Sequence, residues 1–268
     1  MRSIALTGIA VLAATSAAQG VIIHGDQLDR PEQSFIGVFR GGSAVAIGEN
    51  YFITAAHVGG VSRSIVELGG ERYIAKSVTR HPDLDIAVIE VEESLPGWHN
   101  ITDDIGRGDR VVVGGNGKVQ SKKGRKGYKW SKGREEVWGE NIVNFLHGDY
   151  GFFDFDRRIS RRLDGEAIFS QGDSGGGVFV ENEDGTLELA GIAIGVTGKS
   201  GFSRFGNLGV FLPIADAIND FGLDFQASEL EKIEGPLLDD PIAETPSPSS
   251  FVLLMGAGAA ITSRRRRA

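Results

Sequence analysis

Three residues in this chain have the types and local settings needed to turn a hydroxyl into a nucleophile. Ser174 lies in Gly172-Asp173-Ser174-Gly175-Gly176, His57 closes Thr54-Ala55-Ala56-His57, and Asp85 opens Asp85-Ile86-Ala87-Val88. A serine hydroxyl is a weak nucleophile until a neighbouring base takes its proton. Imidazole can do this near neutral pH, its ordinary pKa being about 6.5. A carboxylate must then fix the ring's tautomer and stabilise the imidazolium. Charge that develops on an attacked carbonyl oxygen needs preorganised donors, usually backbone N–H groups. Gly172 allows a sharp turn that aims its own N–H and that of Ser174 at one point, while Gly175 and Gly176 leave room for a substrate backbone. Asp173 is placed to hold this turn by pairing with a buried cation. Each residue alone has a plainer reading: a glycine-rich hairpin with an incidental serine, or a histidine satisfied in a structural role. The order His, Asp, Ser in three such settings favours the chemical one. Asp83 competes with Asp85, but only Asp85 leads directly into a strand.

The elements that must position these groups read as short strands. Candidates are Phe35 to Phe39, Ser43 to Ile47, Tyr51 to Thr54, Ile65 to Leu68, Tyr73 to Val78 and Ile86 to Val91. A second series comprises Arg110 to Val113, Phe152 to Phe155, Ala167 to Phe169, Gly177 to Glu181, Leu187 to Ile194 and Gly209 to Leu212. Regularly spaced strands between turn signals predict an all-β barrel or sandwich. One helix is predicted over Pro213 to Phe221. Proline suits its first turn, and Ile214, Ala217, Ile218 and Phe221 share one face. The chain of 268 residues is long enough for one large or two small domains, and 39 glycines fit many tight turns. Cysteine is absent, which excludes disulfides, thiolate metal sites and a cysteine nucleophile. No cluster of metal ligands is evident, so the sequence implies no metal and no cofactor.

Both ends read as addressing segments rather than as part of the catalytic body. Residues 1–20 form a secretory signal: Arg2, an apolar run from Ile4 to Ala14, then Ser16-Ala17-Ala18, with cleavage after Ala18 or Gly20. Residues 224–245 are acidic and proline-bearing and read as a linker. Residues 246–268 run from Thr245-Pro246-Ser247-Pro248 through the apolar Phe251 to Ile261 into Arg264 to Arg267. That apolar run is short for a bilayer of about 30 Å. The tail resembles the PEP-CTERM type of bacterial sorting signal, with Ser247 where that pattern has glutamate. It implies transient membrane association and a sorting or processing enzyme as partner. The formal net charge is −8, and Arg2 with the four terminal arginines accounts for +5 of it, so the body carries −13. So acidic a body is not built to bind nucleic acid without a local basic patch.

One such patch exists between Gly117 and Arg134, rich in lysine and arginine with Tyr128 and Trp130 interleaved. It reads as a long solvated surface loop, with nucleic acid or another anionic polymer as the competing interpretation. Gly114-Gly115-Asn116-Gly117-Lys118 fails as a phosphate loop, since the glycine spacing is wrong and Val119 stands where a hydroxyl is needed. Asn100-Ile101-Thr102 formally matches a glycosylation sequon.

With these blocks quoted, the chain resembles the trypsin/chymotrypsin-like serine proteases over Val21 to Leu223. Thr-Ala-Ala-His57, Asp85-Ile-Ala-Val and Gly-Asp-Ser174-Gly-Gly match that family's three signature blocks in order and approximate spacing. The resemblance implies two antiparallel six-stranded β-barrels, over about 21–108 and 109–212, a helix at 213–221, and an active site in the cleft between barrels. It implies His57 as general base and acid, Asp85 as its orienter, Ser174 as nucleophile, and the N–H groups of Gly172 and Ser174 as oxyanion hole. Ile168 falls at the floor of the specificity pocket, with walls from Ile194, Gly195, Val196 and Gly209. A neutral, shallow pocket favouring small or medium apolar residues follows. The family also implies that a free Val21 amine pairs with Asp173 after cleavage. The expected protein is thus a secreted or envelope-associated bacterial serine endopeptidase acting on proteins or peptides. A periplasmic quality-control protease and a silent protease-like scaffold for surface binding are the alternatives.

Overall fold

A computed structural model describes residues 20–157 and 163–221. The leader up to residue 19, the acidic linker and the sorting-type tail lie outside the described residues. The first strand, β1 (Ile22–Gly25), is followed by β2 (Ile36–Phe39), β3 (Gly42–Gly48), β4 (Tyr51–Thr54), β5 (Ile65–Leu68), β6 (Glu71–Arg80) and β7 (Ala87–Val91). Strands β2 to β7 close into a six-stranded barrel in the order β2-β3-β4-β7-β6-β5.

The later strands are β8 (Arg110–Gly115), β9 (Lys118–Gly124), β10 (Gly127–Arg134), β11 (Val137–Ile142), β12 (Phe145–His147) and β13 (Tyr150–Asp154). They continue with β14 (Gly165–Ile168), β15 (Gly177–Glu181), β16 (Leu187–Val196), β17 (Phe202–Arg204) and β18 (Leu208–Pro213). Nine strands form one curled sheet, β1-β14-β11-β8-β15-β16-β18-β13-β12. The sheet curls until β11 approaches β13. There the Asn141 amide donates to the Asp154 and Ala167 carbonyls at 2.9 and 2.7 Å, and Asn144 Oδ1 accepts from Asp154 N–H. Side chains thus bridge a seam that a ladder would otherwise close. The double-barrel architecture of a chymotrypsin-like fold is present, with the first barrel closed and the second a curled half-barrel. β1 precedes the first barrel in sequence but is the edge of the second sheet, Ile22 facing Ile168.

Alternation along the strands explains why many read as unbroken apolar runs. In β3, Ala44 and Ala46 point into the closed barrel with Phe39, Phe52 and Ile89, whereas Val45 and Ile47 point outward. Outward here means into a central cluster with Val112, Trp138, Phe179, Leu189 and Ile192 of the other half. The strand has two buried faces, so its period of two is masked. β8 divides likewise, Val111 and Val113 facing the second half's own core and Val112 the central cluster. The halves are therefore fused along a dry seam rather than joined by a mobile linker.

The helix is shorter than the sequence predicts: α1 spans Ala215–Asp220, and Pro213 ends β18 instead of opening the helix. The predicted basic surface loop is also different. Lys118 to Arg134 forms the hairpin β9–β10, extended by β17 into a separate three-stranded sheet. Tyr128 is buried and Trp130 Nε1–H donates to Ser203 Oγ at 2.8 Å, so the aromatics anchor the hairpin from below.

Candidate active site

His57 sits in a single turn of 3-10 helix, Ala56–Val58, just after β4, and Asp85 lies in the loop just before β7. Because β4 and β7 are paired, with Thr54 facing Ala87, the two loops leave the barrel side by side. Asp85 grips His57 twice: Oδ1 accepts the backbone N–H at 2.8 Å and Oδ2 contacts Nδ1 at 2.6 Å. A carboxylate against Nδ1 requires the proton there, so Nε2 is left as acceptor for the Ser174 hydroxyl, 2.8 Å away. Asp83 does not share this role; its N–H, like that of Leu84, donates to His81 Nδ1.

His81 is a positioning group the sequence did not reveal. With its Nδ1 occupied as acceptor, Nε2–H faces Asp220 Oδ2 at 3.4 Å, and its ring packs edge-on against Phe221. The loop that carries Asp85 is thereby tied to the C-terminal helix.

Ser174 is presented by a turn in which Gly172 and Gly175 have φ of 101° and 80°. A Cβ at Gly175 would collide with Ser43 O and Thr54 Oγ1, and one at Gly172 with the Arg134 guanidinium. The N–H groups of Gly172 and Ser174 have no acceptor among the described residues.

Asp173 is completely buried below this turn. Its carboxylate accepts from Ser170 N–H at 2.6 Å and Gly117 N–H at 2.7 Å. Burial pushes its pKa up to about 6, opposed by the hydrogen bonds from Ser170 and Gly117 and by the charge of Arg134. Its direct partners are backbone donors, where the sequence led us to expect a buried cation. Gly115 and Gly117 are needed here, because a Cβ on either would run into the Asp173 carboxylate. Gly20 abuts the same place: Ser170 Oγ contacts Gly20 O at 3.4 Å, and a Cβ at Gly20 would touch Gly117 N.

Ser43 ties the first barrel to this turn and was also not foreseen. Its N–H donates to Ser174 O at 2.8 Å, and its Oγ donates to Gly172 O and accepts from Asn116 N–H. Its carbonyl accepts from Thr54 Oγ1 at 2.7 Å. One buried serine thus spans Ser174, the Gly172 turn and the strand before His57.

The expected pocket residues do not all converge. Ile168 and Val196 meet in an apolar cluster with Ile22, Tyr128 and Phe155. Gly195 faces open space, nothing lying within 4 Å of a Cβ placed there. The Ile194 side chain turns instead into the central cluster between the halves. Gly209 faces Val196 across the β16–β18 ladder, and a Cβ on it would enter the Phe153 ring, so packing behind it already demands glycine.

A curled two-barrel fold that links carboxylate, imidazole and hydroxyl across its halves is a serine protease fold. Residues 42–192 match the family model described as the trypsin-like peptidase domain, which is more than half of the chain. The chain belongs to that family. No curated protein matches it.

Proposed function

We propose that this protein is a serine endopeptidase that cleaves peptide bonds through an acyl-enzyme. The observation that carries this reading is the continuous Asp85–His57–Ser174 relay, with contacts of 2.6 and 2.8 Å. In the first half-reaction His57 Nε2 takes the Ser174 proton as Oγ attacks the scissile carbonyl. The oxyanion is received by the N–H groups of Gly172 and Ser174. His57 then returns the proton to the departing amine, leaving Ser174 acylated. Water enters on the same side, loses a proton to His57 as it attacks the acyl carbon, and the acid departs as His57 returns that proton to Ser174 Oγ. Asp85 remains ionised throughout and stabilises the imidazolium.

The uncharged cluster of Ile168 and Val196 supports a preference for small or medium apolar residues before the cut. The signal-like sequence of residues 1–20 and the sorting-type sequence of residues 246–268 support export to the cell envelope or beyond. Cleavage after Gly20 would release a Val21 amine next to Ser170 and Gly117, the two donors that hold Asp173, and that amine becomes the cation paired with Asp173.

Fluorophosphonate labelling of the full chain tests the reading, comparing wild type with Ser174→Ala and His57→Ala. Labelling of wild type alone is expected; a folded wild type that does not react overturns it. Fluorogenic peptides varied before the cut test the pocket, and a clear arginine preference would sink the apolar assignment.

A further inference from the structure

Three exposed arginines surround one side of the candidate site, and none forms an ion pair with a carboxylate among the described residues. Arg134, the last residue of β10, donates to Gly41 O and lies across the face of Gly172. Arg40, in the left-handed region at φ 47°, runs alongside Gly59 and Gly60, which directly follow the turn bearing His57. Arg80 Nη2–H donates to Gly60 O at 3.0 Å. Glu136 is engaged with Arg30 and the Trp138 indole, Asp173 lies beneath the turn, and Glu135, next to Arg134, forms no ion pair with it. In a body of −13 this concentration of positive charge is against the average.

Its position relative to the hydroxyl gives it meaning. Ser174 lies between two strands. On one side Gly175 N–H donates to Ala193 O of β16, which runs on to Gly195, Val196 and the apolar cluster. On the other side Ser43 N–H donates to Ser174 O, and the Arg40-Gly41-Gly42 turn continues outward. A polypeptide with its acyl residue at the apolar cluster must carry its leaving half over that turn. There it passes Arg134 and Arg40. Beyond Arg134 the β9–β10 hairpin prolongs the positive surface, with eight basic and no acidic residues between 118 and 134.

Resting on the peptidase reading above, we propose that Arg40, Arg80 and Arg134 form a cationic subsite for acidic residues immediately after the scissile bond. The substrate class is therefore polypeptide with an apolar residue before the cut and aspartate or glutamate after it. Guanidinium groups are suited to this, since they stay charged and can meet a carboxylate with two parallel hydrogen bonds. Exposed pairs are individually weak, so about a fivefold to tenfold gain is expected for three glutamates over three glutamines.

The test uses the full chain with Ser174→Ala and fluorescent peptides that share an apolar acyl residue and carry three Glu or three Gln after the bond. Binding is read by anisotropy, and the same pair is assayed for kcat/KM with wild type. The Glu peptide is expected to bind tighter by that factor. The advantage should largely vanish in about 0.5 M salt, where charges are screened within a few ångströms. It should also vanish when the glutamates are moved before the bond. Arg134→Gln and, separately, Arg40→Gln should each shrink the Glu/Gln ratio; Arg40 touches neither Gly41 O nor Gly172, so its variant remains informative if the first distorts the turn. A ratio near one in the Ser174→Ala chain, or a ratio unmoved by both substitutions, overturns the subsite. If wild type cuts neither peptide while the Ser174→Ala chain keeps its Glu preference, the subsite stands and the peptidase reading falls. Equal cutting of both peptides with equal binding does the reverse.

Discussion

Replacing Asp173 by asparagine should change how the stability of this protein responds to pH, and the sign is unusual for a carboxylate. Most native carboxylates titrate lower than in the unfolded chain, so that acid destabilises. Asp173 runs the other way, because burial lifts its pKa from 3.8 to about 6. Between those values the folded state holds a proton that the unfolded state has released. Stability contributed by this group is therefore fully present below pH 3.8 and is lost as pH rises to about 6. A shift of about two units at about 1.4 kcal/mol each gives roughly 3 kcal/mol across the window. The Asp173→Asn chain carries no titrating group there. Urea unfolding followed by tryptophan fluorescence from about pH 3 to 7.5 should show wild type losing about 3 kcal/mol relative to the variant. Taking the difference removes the other carboxylates, which titrate in both chains. A difference that is flat, or that grows in favour of wild type with pH, would refute the account of Asp173. A chain beginning at Val21 provides a second reading: an amine paired with the carboxylate holds its pKa down and removes the slope.

Other perturbations follow from single contacts. Asp85→Asn should lower kcat by about ten-thousand-fold while leaving thermal stability near wild type, because the amide no longer enforces the Nδ1–H tautomer. Ser43→Ala leaves Gly172 O and Asn116 N–H without their shared partner and should cost about 1–3 kcal/mol in unfolding measurements, with kcat falling more than KM rises. Gly175→Ala, forced against Ser43 O at positive φ, should lose at least about 2 kcal/mol and abolish labelling by fluorophosphonate. His81→Ala should reduce kcat/KM by about tenfold through a displaced Asp85, and His81→Gln should restore part of it; an unchanged pH–rate profile in the alanine variant would remove His81 from the positioning role.

The residues proposed to do the chemistry are legible because each is marked by its immediate neighbours. Glycines around Ser174, alanines before His57 and an apolar strand after Asp85 are local signals, and local pairing of β4 with β7 brings two of them together. Ser43 carried no such mark. Its only clue was a small polar residue at the head of a strand buried throughout, where a hydroxyl must find partners. The basic hairpin was missed because lysines occupy both of its faces, erasing the alternation that marks a strand. Its ladder relies on β17, some seventy residues away, which presses Ser203 against Gly127. His81 acts through Asp220 at the far end of the described chain, a partnership no short window of sequence contains. Likewise Ile194 and Val196, two residues apart in β16, ought to share a face, but the irregularity between Ala193 and Gly195 sends their side chains to different clusters.

The placement of β1 has a consequence for the order in which the molecule is made. The first barrel uses strands drawn from residues 36–91 and can be completed while synthesis continues. Strand β1, already emerged, must wait for β14, and closing so long a loop carries an entropic cost of roughly 4 kcal/mol. Until that happens Gly20 and Val21 have no seat beside Ser170. The pairing that seats Gly20 is therefore made only once residues 165–168 have emerged, directly ahead of the turn that carries Ser174. Connectivity thus sets the first barrel, with His57 and Asp85, in place before the segment that carries Ser174 has been made.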